Sequence, residues 1–229
     1  MKKIFNCLTR YEKILWSVSF VLIVLSFVIF DRENHLTLIA SLIGVTSLIF
    51  CAKGYPIGQL LMVGFSLLYG LISFNFAYYG EMLTYLGMTM PMAVFSLISW
   101  LKNPYSENTK EIQIYKLNEN EFKTMFKMAF IATFVFYFLL KYFNTSNIIP
   151  STVSVTTSFI AVYLTYKRSV YFALGYAMND LVLICLWLMA AMENQVYYSV
   201  VVCFVMFLIN DIYGFLSWRK MEARQFTSF

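Results

Sequence analysis

Val170–Met192 reads VYFALGYAMNDLVLICLWLMAAM, an apolar run in which Asp180 alone carries a charge. A helix rises about 1.5 Å per residue, so this run covers roughly 34 Å, enough to cross a hydrocarbon core of about 30 Å. Seven more such runs flank it: Ile14–Phe30, Leu36–Ala52, Ile57–Phe76, Met82–Leu101, Thr124–Phe143, Thr152–Tyr166 and Tyr198–Trp218. They are continuously apolar, whereas barrel strands alternate. The composition agrees, with 60% hydrophobic and 13% charged residues in 229, against about 45–50% and about 25% in soluble domains. One soluble core could not hide that much apolar surface. The expected fold is an all-α integral membrane protein of about eight transmembrane helices, with the lipid bilayer as its surroundings and no soluble domain.

Lys2, Lys3, Arg10 and Lys13 precede the first run as in a signal peptide, but the run ends in Phe30-Asp31-Arg32-Glu33 without a small-residue cleavage site. It reads as a retained helix. The net charge of +5 follows from topology and does not call for a nucleic-acid partner. With the N-terminus inside and eight spans, only Arg32 and Lys141 of the 17 Lys/Arg fall outside. The positive-inside rule therefore places both termini in the cytoplasm. Cys7, Cys51, Cys185 and Cys203 have no motif spacing, and His35 sits in a short outer loop, so neither a metal, a cofactor nor a disulfide is implied.

An internal repeat organises the chain. Lys53-Gly-Tyr-Pro faces Lys167-Arg-Ser-Val, Tyr78-Tyr79 faces Tyr197-Tyr198, and Ser-Trp100-Leu-Lys faces Ser-Trp218-Arg-Lys, at offsets of 114, 119 and 118 residues. Two three-helix units, 36–101 and 152–220, thus repeat in parallel, joined by a cytoplasmic linker and one crossing helix in 102–151. An extra helix and its leading segment occupy 1–35, and 221–229 is a cytoplasmic tail. The charges of 102–123 read as a solvated connector, partly helical. Pro56 and Pro150 fall near helix starts, whereas Pro91 falls inside span 4 and should kink it or serve as a hinge.

Charged residues in a membrane cost about 2.5–3.5 kcal/mol each on insertion scales. Two mid-span aspartates occur here, each after an asparagine: Asn179-Asp180 with Trp187 beyond it, and Asn210-Asp211 with Tyr213 and Trp218 beyond it. Tyr176 lies one turn before the first pair and Trp187 two turns after it. Counted from the cytoplasmic ends of their antiparallel spans, both pairs lie roughly 12–14 Å deep. The candidate substrate-binding set is therefore Tyr176, Asn179, Asp180, Trp187, Asn210, Asp211 and Tyr213. The blander reading makes the polar residues helix glue, in a membrane sensor or assembly protein that transports nothing. Trp100 and Trp218, at span ends, read as interfacial belt residues. Asn75 and Glu81 are weaker candidates for the outer entrance. Met92 and Ala93, at the matching depth of span 4, are apolar, which makes the site asymmetric.

Enzyme signatures are absent: there is no H-E-x-x-H, no G-x-S-x-G and no Walker A loop. An aspartyl enzyme would need two facing carboxyls, which Asp180 and Asp211 could in principle provide.

The doubled three-helix unit, the asparagine in span 7, the segment Tyr78-Tyr79-Gly-Glu-Met-Leu and the closing Asn210-x-x-Tyr213-Gly214-x-x-x-Trp218-Arg219 together resemble the PnuC family of bacterial vitamin transporters. The resemblance covers roughly residues 36–220. It implies a fold like that of the SWEET transporters and residence in the bacterial inner membrane. It also implies facilitated diffusion of nicotinamide riboside, an NAD precursor, trapped by a cytoplasmic kinase. Relatives carry thiamine, riboflavin-like compounds or deoxynucleosides, and assembly into a homo-oligomer is left open. By position, Asn179 matches the family's amide-bearing residue. Gly175 and Tyr176 stand where members often have tryptophan, and Ala93 where many have asparagine.

Overall fold

A computed structural model describes residues 7–75, 79–107, 109–145 and 147–227. Lys2, Lys3, Tyr78 and the side chain of Asn75 lie outside the described residues. Eight helices are long and apolar enough to cross a membrane. They are α1 (Arg10–Phe30), α2 (His35–Ala52), α3 (Pro56–Asn75), α4 (Tyr79–Lys102), α5 (Glu119–Tyr142), α6 (Ile148–Tyr166), α7 (Phe172–Glu193) and α8 (Tyr198–Thr227). Among the described residues there are no strands beyond an isolated bridge, Pro104 to Ile112.

The two repeats, α2–α4 and α6–α8, pack reciprocally. The first helix of each lies on the last helix of the other, α2 on α8 and α4 on α6. The tryptophans expected in an interfacial belt lie instead at the centre of this exchange. Trp100 and Trp218 are 0% exposed, with ring centroids 5.5 Å apart. Trp100 Nε1 donates to Thr165 O at 2.9 Å and Trp218 Nε1 to Cys51 O at 2.8 Å, so each repeat caps the other's leading helix. Those carbonyls sit at helix C-termini, where intrahelical donors run out, and an indole N–H supplies one.

The helices outside the repeats are counterparts as well. Both begin with a capping box, Thr9 with Glu12 on α1 and Asn118 with Glu121 on α5. Each box glutamate then pairs with the lysine that ends the following helix, Glu12 with Lys53 at 3.1 Å and Glu121 with Lys167 at 2.7 Å. α1 lies on α2 as α5 lies on α6. The extra helix and the connector therefore occupy equivalent places.

The linker departs from the expected solvated connector. Helix begins only at Glu119, and the described residues before it run extended across the face that carries the termini. Ile112 and Ile114 are buried beside Trp100, Trp218 and Met221. Ile112 N donates to Gly54 O and Tyr115 N to Arg168 O, both at 3.1 Å. Gly54 and Arg168 are equivalent turn residues, both left-handed at φ 64° and 56°. The linker thus straps the two repeats together at matching points and closes this terminal face. The opposite, far face carries the short loops.

Proline at 91 is preceded by a change of helix type. It cannot supply the N–H that would bond the carbonyl four residues back. Immediately before it, α4 widens into a π turn over Tyr85–Thr89, and Met90 N reaches back to Tyr85 O. Such turns concentrate at functional sites.

Candidate functional site

Between the repeats, at mid-height, lies a cavity with about 90 Å³ of room for the centre of a water molecule, open on one side to the exterior. The second repeat supplies its polar wall. On α6, Ser151, Ser154 and Ser158 recur at three- and four-residue spacing and so share one face. On α7, Tyr176, Asn179, Asp180 and Trp187 line it, and α8 adds Asp211. The first repeat and α8 supply an aromatic wall, in which Phe65 meets Tyr85 edge-on at 6.1 Å and Phe207 at 5.9 Å.

Asn179 is buried and held from α6. Its Oδ1 accepts from Thr157 Oγ1 at 2.8 Å and from Ser158 Oγ at 3.0 Å. With both lone pairs of the carbonyl engaged, its free capacity is the NH₂ group. Asp180 and Asp211 are both buried and line the same cavity. Asp180 Oδ2 is buried and has no protein partner. Among the described residues that line this cavity, none is a lysine or arginine.

Five of the seven candidate residues are therefore brought together: Tyr176, Asn179, Asp180, Trp187 and Asp211. Asn210 and Tyr213 are not; they face α1. Asn210 Nδ2 donates to Ser19 Oγ at 2.9 Å and to Met206 O at 2.7 Å. Tyr213 donates to Glu12 Oε1 at 3.0 Å, near the terminal face. Ala93 belongs to an apolar cluster, as its place in the sequence reading implies. Gly175 serves packing, since a Cβ there would stand 3.0 Å from the Ala161 backbone, and its absence lets α7 approach α6. The α6 hydroxyls and Glu81, which also lines the cavity, complete the polar surface.

A family model described as nicotinamide mononucleotide transporter matches residues 34–220. The chain belongs to that family. Within the nicotinamide mononucleotide transporter family, one relative is the nicotinamide riboside transporter PnuC of Neisseria mucosa. It is 24% identical over 230 residues, covering 97% of this chain and 86% of the relative. The fold also matches a crystal structure of the vitamin B3 transporter PnuC, with a TM-score of 0.82 at 22% identity, over 97% of this chain and 96% of that one. The family is one of transporters, not of enzymes.

Proposed function

We propose that this chain is a passive facilitator of nicotinamide riboside, or of a closely similar nucleoside-like vitamin, and that it holds the ligand in the cavity between the repeats. The observation that carries this reading is the make-up of the cavity: an aromatic wall facing an amide, three serine hydroxyls and three carboxyls, those of Asp180, Asp211 and Glu81, with no lysine or arginine among the described lining residues. Nicotinamide riboside offers a cationic ring, a carboxamide and ribose hydroxyls. Aromatic faces suit the cation, the free NH₂ of Asn179 suits the carboxamide oxygen, and the carboxylates suit the hydroxyls or the ring charge. Asn210 and Tyr213 act at a distance from the ligand by seating α1.

The same make-up favours the nucleoside over the mononucleotide of the family's description. A phosphate dianion would lie beside carboxylates with no cation to receive it, and like-charge juxtaposition costs several kcal/mol. The basic terminal face is assigned to the cytoplasm of a bacterial inner membrane, where a kinase would phosphorylate the product and prevent its return. Calorimetric titration of the purified protein tests the reading. Nicotinamide riboside should bind, and nicotinamide mononucleotide should bind on the order of 100-fold more weakly, about 2.7 kcal/mol. Equal affinities, or no binding of the riboside, would remove this substrate assignment.

A further inference from the structure

Two further cavities lie between the central one and the far face, one beside Asn144 and Asn147, the other beside Asn34 and Asn194. Glu81 and Trp187 line all three spaces. These two residues stand where the three spaces adjoin.

The Asp, Glu, Lys and Arg residues described along this route are all acidic. Asp31 and Glu193 line the outer cavities, Glu81 the junction, and Asp180 and Asp211 the centre. No lysine or arginine is among the described lining residues of any of the three, in a chain with 17 Lys/Arg against 12 Asp/Glu. The terminal face differs, because its cleft is lined by Lys53, Lys220 and Arg224 beside Glu12 and Glu111. The route also ends on an unmet acceptor, Asp180 Oδ2, in a residue only 4% exposed. Glu81 itself has a neutral neighbour, Ser73 Oγ at 3.5 Å, and none of the ion pairs among the described residues includes it. A low-dielectric passage lined by one sign of charge focuses its field along the axis and concentrates the opposite sign inside. Trp187 adds a π face to which a delocalised cation is attracted.

We infer that Glu81, beside Trp187, is a charge filter at the far-face entrance and favours solutes with a positive ring charge over neutral and anionic ones. The identity of the natural solute rests on the reading above, but the filter does not. It can be tested on a thiol placed beyond it, Ser154→Cys, in the full-length chain with Cys7→Ser and Cys185→Ser removing accessible background thiols. The probes are trimethylammonioethyl and sulfonatoethyl methanethiosulfonates, and the readout is the ratio of their modification rates, corrected for a free thiol. The ratio should favour the cation and fall on the order of tenfold in Glu81→Gln, whereas Glu81→Asp should keep it. Glu81→Ala provides the same comparison if the glutamine variant does not purify. An unchanged ratio overturns the filter, as does a thiol reached by neither reagent. Uptake of labelled nicotinamide riboside by the chain with Ser154 intact separates the two claims. Charge selectivity without riboside uptake refutes the substrate and leaves the filter standing.

Discussion

Asn179 and Asn210 look alike in sequence and have opposite surroundings. Each precedes a mid-membrane aspartate, yet successive residues on a helix point about 100° apart. On α7 both members of the pair reach the cavity, whereas on α8 only Asp211 does and Asn210 turns to Ser19. A spacing rule finds the pair but not its rotation, which the neighbouring helix decides. The two asparagines should therefore fail differently. Asn179→Leu removes the free NH₂ and should weaken nicotinamide riboside binding by about 1–3 kcal/mol, roughly 5- to 150-fold. Its stability should fall as well, by about 0.6 kcal/mol for each of the two interhelical bonds from Thr157 and Ser158. Asn210→Leu should leave affinity unchanged and lower stability, by about 0.6 kcal/mol for an average interhelical bond in a membrane. Titration and thermal melting on each purified variant check both. The hydroxyl stripe Ser151, Ser154, Ser158 was also present in the sequence as three- and four-residue spacing. Its signal is weak, because such hydroxyls usually bond their own helix carbonyls, as Ser154 does to Ser151 O.

The helices were the most legible elements, since runs of about 20 apolar residues have few other uses. The connections were less so. In 102–123 the frequent charges suggest a solvated segment, and the signal against that reading is brief: Ile112 and Ile114, alternate residues of a non-helical segment, both buried. Trp100 and Trp218 misled for a related reason, because a tryptophan near a span end suits the lipid interface. Only the reciprocal packing of the repeats shows that each indole bonds the other half. The capping-box glutamates permit a comparison between elements. Glu12 and Lys53 are 3% and 15% exposed, Glu121 and Lys167 17% and 28%. Glu12→Ala strands the Lys53 ammonium in a largely buried place and removes the cap of α1, at a cost of about 3–5 kcal/mol. Glu121→Ala acts on a more hydrated pair and its cap, so about 1–2 kcal/mol is expected. Denaturation midpoints of the two variants, in one detergent, should differ in this order; equal losses would mean that burial does not distinguish the pairs.

Seen as a whole, the molecule is a doubled unit whose second half carries most of the polar site, the first half adding Glu81. The repeat was legible from three short matches, because turn and capping residues preserve a pattern after the apolar faces have diverged. The asymmetry was legible too, in Met92 and Ala93 standing where the second half has its polar pair. The shared place of α1 and α5 was not, since it rests on the two ion pairs that tie each to the following lysine. The assigned orientation predicts that a cysteine at Ser106, in the linker, stays unlabelled by an impermeant maleimide in intact cells and labels after permeabilisation; labelling in intact cells would reverse the orientation. The central claim, passive passage of a nucleoside-like vitamin through the cavity between the repeats, is tested most directly by counterflow. Liposomes bearing the purified protein and loaded with unlabelled nicotinamide riboside are diluted into a trace of labelled riboside, with no ion gradient. The account predicts transient accumulation of label above protein-free liposomes, abolished or strongly slowed by Asn179→Leu and little affected by external nicotinamide mononucleotide. No accumulation over the protein-free control, or full accumulation with the Asn179→Leu protein, would contradict it.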